Sequence, residues 1–419
     1  MIKEFKNKKI IFLVSTQWGD GTSYKFVKFF ETKYGIESIT NSSILMRNKI
    51  DLGICLGDRI SPYRNFLRKG IPYLLVEHDI LSLRYAKKEE NHQHDREKME
   101  NACAAIFTSE DHAEYYENLS KRFGWDLPEY IVVHNRPLRK DTQFDEKKKL
   151  KNLNLVYAGG LLNKRLNSSY SYRTYLSIFR KFIEAGWNVH LYPTKFGRKD
   201  ILRSYGEIGC ILHNWIPGNK IYQEMSQYTA GFHGYNKTDV PERAYQYTQL
   251  CRANKIYDYL ASGIPTIGYQ GGNGMEIYRD KWGIVIDDLE PETLKAIPER
   301  LKKIKILKKW RKDNVLEKEK DKFKHIINVA LEEAENKDRK RYYITGDRKV
   351  KEPEPYKPFR NQNGEPFPKM IIVTNKGPRE IARGNRVFEG HKTSEPLTVN
   401  KREWKEIKAH VGLLIKHMD

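Results

Sequence analysis

The chain has 419 residues, of which 39% are hydrophobic, and a formal net charge of +22. Length and mixture exclude a disordered or fibrous chain and allow two sizeable cores plus an appendage, since domains usually run about 100–200 residues. The charge says nothing about fold, but a field of that sign attracts polyanions: nucleic acid, acidic lipid surfaces or phosphorylated small molecules.

In chain order, Met1 to Lys9 is charged, and the apolar run Ile10–Val14 is strand-length, too short for a signal-peptide core. Gly19 and Gly21 follow, then an amphipathic stretch from Tyr24 to Tyr34. Further apolar runs occur at Asp51–Leu56, Tyr73–Val76, Ala104–Thr108 and Tyr130–Val133, with helix-like segments between them. Short aliphatic strands separated by helices imply a parallel sheet with right-handed crossovers. Charges crowd in around Pro137 to Lys151, as expected of a linker.

A second series begins at Leu153–Tyr157, which ends in Gly159-Gly160. A helix is expected over Tyr172–Ala185 and strands over Asn188–Tyr192 and Gly209–His213. Next come a helix over Ile221–Gln227, a short strand over Ala230–Phe232 and a helix over Ala253–Ala261. Thr266–Tyr269 and Gly283–Ile286 are the last strands. Two such series joined by a linker predict two doubly wound domains.

After residue 296 the character changes. Leu301 to Lys324 is lysine-rich, with apolar residues at roughly helical spacing, and Glu352 to Pro368 holds five prolines, as in an extended linker. Lys369 to Asp419 reads as a small module: a strand over Met370–Thr374, a second around Arg386–Phe388 and a terminal helix from Lys401. Ala296 to the end carries 32 basic and 19 acidic residues, so over half of the net charge sits there.

The expected division is 1–136 for the first domain, 137–151 for a linker and 152–295 for the second domain. A basic helical segment at 296–345, a proline-rich linker at 346–368 and a module at 369–419 complete it. Cys55, Cys103, Cys210 and Cys251 form no CxxC pair and no zinc spacing, which suggests reduced thiols in a reducing compartment. No run approaches about 18 apolar residues, so no transmembrane helix is expected, and a cytoplasmic location is.

The most specific segment runs from Asn254 to Ile277. It reads as a helix, Gly263 as its cap, a strand opened by Pro265, then the glycine loop Gly271-Gly272-Asn273-Gly274 leading to Met275-Glu276-Ile277. Glycine-rich turns and helix N-termini present backbone N–H groups that can hold a diphosphate. The alternative is an ordinary helix–strand–loop without a ligand.

This segment, with Lys255, Tyr257, Asp258, Tyr259, Ala261, Gly263 and Pro265 in order, resembles the donor-binding signature of the retaining GT-B enzymes called group 1 glycosyltransferases. The resemblance implies an α/β fold of two Rossmann-like, doubly wound domains (GT-B), here with a small basic α+β module at the C-terminus. It implies a nucleotide-sugar donor, of the UDP-sugar type, with no cofactor and no metal. On the donor it places Gly159, Gly160, His233, Lys255, Asp258, Gly271, Gly272, Asn273, Gly274 and Glu276. Asp258 stands where the family's ribose-binding carboxylate stands, and Leu250 where a second Glu is usual.

Leu155 to Gly160 with Lys164 resembles the family's first C-domain strand and its phosphate-neutralising loop. Gly160 occupies the usual Arg place, with Arg165 next to Lys164. Val76-Glu77-His78-Asp79 resembles the element whose His faces the transferred sugar. His78, Lys164 and Arg165 are thus the candidate catalytic residues, against the plainer readings of a solvated loop His and a surface lysine. Gln17 to Ser23, with Trp18, Gly19, Asp20 and Gly21, is the acceptor-side candidate, or equally a plain strand–helix turn.

Three acceptor readings compete. The favoured one is a hydroxymethylated pyrimidine in DNA, suggested by the charge and by Trp310, Tyr342, Tyr343, Tyr356, Phe359 and Trp404 interleaved with it. The last fifty residues, with Ile371 to Glu380 and Arg386-Val387-Phe388, resemble a small module of Mu-like phage proteins, which implies a phage enzyme working in the host cytoplasm. The second acceptor is a lipid-linked or cell-surface glycan at an anionic membrane, reached through Leu301–Trp310. The plainer role of that stretch is the C-terminal helix that packs back on the first domain. The third reading is a non-catalytic nucleic-acid-binding protein on the same scaffold.

Overall fold

The computed structural model comprises two units, Met1–Thr345 and Gly346–Asp419. It describes residues 5, 7–14, 22–40, 50–57, 60–84, 88–162, 171–194, 197–236, 240, 242–250, 252–269 and 281–336 of the first unit. In the second it describes short strands.

The first unit opens with β1 (Ile10–Leu13), α1 (Thr22–Tyr34), β2 (Glu37–Ile39), β3 (Leu52–Leu56), α2 (Ile60–Arg68), β4 (Tyr73–Glu77), α3 (Leu81–Arg84), α4 (Lys88–Asn101), β5 (Ala104–Phe107), α5 (Glu110–Phe123) and β6 (Tyr130–Val132). These strands form one parallel sheet in the order β2-β1-β3-β4-β5-β6. Side chains alternate across it as the two-residue strand period requires. Ile11, Leu13, Cys55 and Leu75 face one buried cluster, and Ile10, Phe12, Ile54 and Leu74 face the other.

A 3-10 turn at Arg139–Thr142 leads to the second series: β7 (Asn154–Ala158), α6 (Leu176–Glu184), β8 (Asn188–Tyr192), α7 (Lys199–Glu207), β9 (Ile211–Leu212), α8 (Gly218–Met225), β10 (Ala230–Gly234), α9 (Glu242–Leu250), α10 (Lys255–Ala261), β11 (Thr266–Tyr269) and β12 (Gly283–Ile286). Its parallel sheet has the order β12-β11-β10-β7-β8-β9. The order reverses between β7 and β10, because β7 connects outward through β8 while β10 connects the other way. Such a reversal opens a crevice at the carboxyl ends of the two strands, where doubly wound sheets bind ligands.

The chain then runs through α11 (Pro291–Lys302) and α12 (Lys308–Asp313) to α13 (Lys320–Glu335). α13 lies on the first sheet: Phe323, Ile326, Ile327 and Ala330 are buried with Phe26, Phe29 and Phe30 of α1. The ring of Phe323 is 4.7 Å from that of Phe29 and 5.3 Å from that of Phe30. The helix that packs back is thus α13, not the Leu301–Trp310 stretch. That stretch is divided between the end of α11 and the start of α12, and Leu307 is exposed.

α6 begins at Leu176, later than expected, because Ser171–Arg173 is a separate 3-10 turn. The amide of Tyr175 donates to the Tyr205 hydroxyl (2.9 Å), and that hydroxyl donates to Leu162 O (2.6 Å). The amide of Leu162 donates to Arg173 O, so this turn belongs to a bridge with Leu162 rather than to the helix.

In the second unit, β13 (Phe359–Arg360) pairs with β14 (Pro366–Phe367). β15 (Lys369–Asn375) is flanked by β18 (Leu397–Val399) and β19 (Leu413–His417), and β16 (Ile381–Arg383) pairs with β17 (Arg386–Phe388). The terminal helix expected from Lys401 lies outside the described residues as far as Gly412, and Leu413–His417, expected to continue it, is instead β19: five residues with a Leu-Leu-Ile run gain a full antiparallel ladder on β15, and pairing overrides local helix preference.

Candidate functional site

The reversal between β7 and β10 places Gly159-Gly160, just past β7, beside His233 and Gly234 at the end of β10. α10 is fixed over this point. The ring of Tyr259 occupies the space above Gly231, where an added Cβ would lie 2.3 Å from it. The Tyr259 hydroxyl donates to Phe232 O (3.0 Å) and Val156 O (3.3 Å), tying the helix to both strands. Gly263, with φ 72°, ends the helix in the left-handed region that glycine adopts without strain.

This anchoring aims Lys255 at the crevice. Its Nζ is 2.8 Å from where a Cβ on Gly159 would lie, and it stands over the Tyr157 ring at 4.9 Å. The Tyr157 hydroxyl donates to Gly160 O (3.0 Å), fixing the glycine pair from below. A second cation arrives from the 3-10 turn: Arg173 Nη1 is 2.9 Å from the Cβ position of Gly160, and the guanidinium lies over the Tyr172 ring at 5.4 Å. Two cations thus face a bare glycine backbone at the carboxyl end of a parallel sheet, which is an anion site in its chemistry. Sequence reasoning missed Arg173 because it read the turn as helix. The signal available was Gly160 in the usual Arg place.

His233 is buried, and its ring meets Tyr235 edge-on at 5.6 Å. Burial, helped by the nearby Lys255, pushes it down to about 3, so it is a neutral imidazole at physiological pH. Asp258, on the same helix as Lys255, accepts at Oδ1 from Lys25 Nζ (2.7 Å) and from the Tyr222 hydroxyl (3.0 Å). Lys25 comes from α1 of the first sheet's half, so this contact joins the two halves.

The first half meets α9 at the end of β4. His78 is partly buried there, within electrostatic reach of His112, which burial and the neighbouring His78 push down to about 3. Asp79 accepts from the Tyr247 hydroxyl of α9, so that helix of the second half rests on the first. Glu77 is buried. Its Oε1 accepts from Lys98 (2.7 Å) and the Tyr116 hydroxyl (2.9 Å), and Asp95 shares both donors. Burial pushes Glu77 up to about 8, against the pull of Lys98.

Of the residues singled out in the sequence, the structure brings Gly159, Gly160, His233 and Lys255 together, with Asp258 three residues along α10. His78 follows β4 in the first half, within electrostatic reach of His112. Trp18, Gly19, Asp20, Gly21, Lys164, Arg165, Gly271, Gly272, Asn273, Gly274 and Glu276 lie outside the described residues. Among the described residues, no cluster of His, Cys, Asp and Glu could hold a metal ion, and no helix is long and apolar enough to cross a membrane. Cys55, Cys103 and Cys210 are buried. A groove of about 480 Å³ lies elsewhere, lined by Lys33, Arg139, Glu317, Lys318 and Lys320.

These buried imidazoles set an acid limit. His112 and His233 are pushed to about 3 and His190, beside His213, to about 4, mainly by burial. Each takes up a proton on unfolding once the pH falls below its ordinary value of about 6.5. Stability is therefore lost from that point down, at about 1.4 kcal/mol per pH unit per group. Glu77 acts in the opposite sense, its contribution being full below about 4.5 and lost as pH rises through 8. Three groups outweigh one, so denaturant midpoints are expected to fall between pH 7 and pH 5, with a shallower fall for His112→Asn. A midpoint that rises toward pH 5 would show that the imidazoles are not held neutral.

No family model matches the chain, and no curated protein matches it in sequence. Solved structures do match in fold. The chain is similar to the structure of Anabaena Alr3699/HepE in complex with UDP and glucose, at 12% identity and a TM-score of 0.51, over 78% of this chain and 99% of that one. It is also similar to the GtfA/B complex (10% identity, TM-score 0.46) and to the pneumococcal O-GlcNAc transferase GtfA in complex with UDP and GlcNAc (13%, 0.45), over 69% of this chain in each case. The chain spans 59% of the length of each of those two. The architecture expected from the sequence, two Rossmann-like doubly wound halves in the GT-B manner, is the one found, as two parallel six-stranded sheets with interleaved helices.

Proposed function

We propose that the chain is a glycosyltransferase that takes its sugar from a UDP-sugar. The observation that carries this reading is the convergence of Lys255 and Arg173 on Gly159-Gly160 at the strand-order reversal. Glycosyl transfer breaks the bond between the anomeric carbon and the diphosphate oxygen, through an oxocarbenium-like transition state, while negative charge builds on the leaving diphosphate. Two preorganised cations and the glycine amides stabilise that charge where it develops. Asp258 takes the ribose hydroxyls, neutral His233 offers a hydrogen bond beside the diphosphate, and His78 positions the sugar from the first half. Lys164, Arg165 and the Gly271–Gly274 loop with Glu276 complete the donor site by resemblance. UDP in the HepE structure supports the choice of nucleotide.

In this reading the anomeric configuration is retained. The acceptor oxygen bonds to the anomeric carbon on the face the diphosphate leaves, and the acceptor proton passes to the departing phosphate oxygen. No protein nucleophile, cofactor or metal takes part.

The acceptor we propose is a hydroxymethylated pyrimidine in phage DNA. The charge of +22 and the groove lined by Lys33, Arg139, Lys318 and Lys320, four cations against the single carboxylate of Glu317, support a polyanionic partner. Incubation with labelled UDP-sugars and duplex DNA containing hydroxymethylcytosine is expected to label the DNA, with a steep loss of labelling as salt rises. Release of UDP with no label in DNA would overturn the DNA acceptor and favour a lipid-linked glycan. No cleavage of any UDP-sugar would overturn the transferase itself.

A further inference from the structure

Lys25 has no place in the functions described so far, yet its side chain is 4% exposed. A buried ammonium needs acceptors. Its Nζ has Asp258 Oδ1 at 2.7 Å and the backbone O of Asn135 at 3.3 Å. The Tyr222 hydroxyl donates to the same Oδ1, so that oxygen is held by two donors, while the Asp258 side chain as a whole keeps 22% of its surface. Around it, the start of α10 is gripped by the first half at further points. Asn135 Nδ2 donates to Asn254 Oδ1, and the Tyr257 hydroxyl bonds to His134 Nδ1 (2.9 Å).

We propose that Lys25 is a positioning residue for the nucleoside of the donor. It fixes the carboxylate of Asp258 through Oδ1 and so presents Oδ2 to the ribose hydroxyls. This rests on the reading that Asp258 takes the ribose. Because Lys25 belongs to α1 and Asp258 to α10, the ribose is gripped firmly only when the two halves are together. Ribose recognition thereby reports closure of the crevice, whereas the diphosphate is held by Lys255 and Arg173 of the second half alone.

The test compares UDP with a uridine diphosphate analogue lacking both ribose hydroxyls, by titration calorimetry on the full chain. The wild type is expected to prefer UDP by about tenfold or more, the size of a charge-assisted hydrogen bond. In Lys25→Met the preference is expected to fall toward unity, because UDP weakens while the analogue does not. A merely structural ion pair would weaken both ligands alike and leave their ratio intact, and that result would overturn the proposal. So would tighter UDP binding by Lys25→Met, since Lys25 would then compete with the ribose. Should the methionine variant not fold, Lys25→Leu, which likewise removes the donor, gives the same readout. A wild type that binds both ligands equally would instead remove the ribose role of Asp258. A wild type that binds neither would remove the nucleotide site.

Discussion

Lys255→Met is expected to slow UDP-sugar cleavage by about 100-fold with little change in melting temperature. Removing one preorganised donor from a site of developing negative charge commonly costs 10² to 10³ in rate. Lys255 is partly exposed, and the packing of α10 depends on Ile256, Tyr259 and Leu260 rather than on it. Arg173→Met is expected to act similarly, and Arg173→Lys to recover part of the loss, since a point charge replaces a planar fork. The two losses are not additive if both cations serve the same leaving group. Steady-state cleavage of a UDP-sugar checks this: rates within a few-fold of wild type in both methionine variants would mean that the diphosphate sits elsewhere.

Phe323→Ala is expected to be the most damaging single change to stability away from the crevice, at about 3–5 kcal/mol. Its side chain is fully buried against three phenylalanine rings of α1, and α13 has no other ring in that cluster to take up the space. Denaturant unfolding of the first unit's fluorescence or helicity signal checks the size. A loss below about 1 kcal/mol would show that α13 is not docked on the first sheet. The same change matters for function, because α13 covers the face of the sheet on which α1 carries Lys25.

How far the sequence could be read follows from where each signal lies. β3, β4, β5, β7, β8, β10 and β11 are short, mainly apolar runs, and such runs are legible because a strand buried on both faces is mostly apolar, even where it carries a buried His190 or His233. β2 was not legible: Glu37-Ser38-Ile39 is an edge strand with one buried residue. The placement of Gly159, Gly160, His233, Lys255 and Asp258 was legible because they follow or end strands or share one helix, so local order sets it. Arg173, Lys25 and Tyr222 were not. Each contacts a residue outside its own element, and each sits in a stretch whose local pattern has its own sufficient explanation as a helix.

The Glu77, Asp95, Lys98 and Tyr116 cluster is a similar case. A carboxylate at the end of an apolar strand was visible, but its partners lie on α4 and α5. The second unit shows the opposite limit. Lys401 to Asp419 has good helix formers, yet Leu413–His417 is a strand because β15 offers it a ladder. A local propensity of a few tenths of a kcal/mol per residue yields to such a partner.

The most direct measurement is titration calorimetry of UDP into the full-length chain. One nucleotide is expected to bind per chain, at the crevice by Gly159-Gly160, with affinity weakened at least about tenfold in both Lys255→Met and Arg173→Met. No binding of UDP or any other nucleoside diphosphate, or binding indifferent to both substitutions, would contradict it.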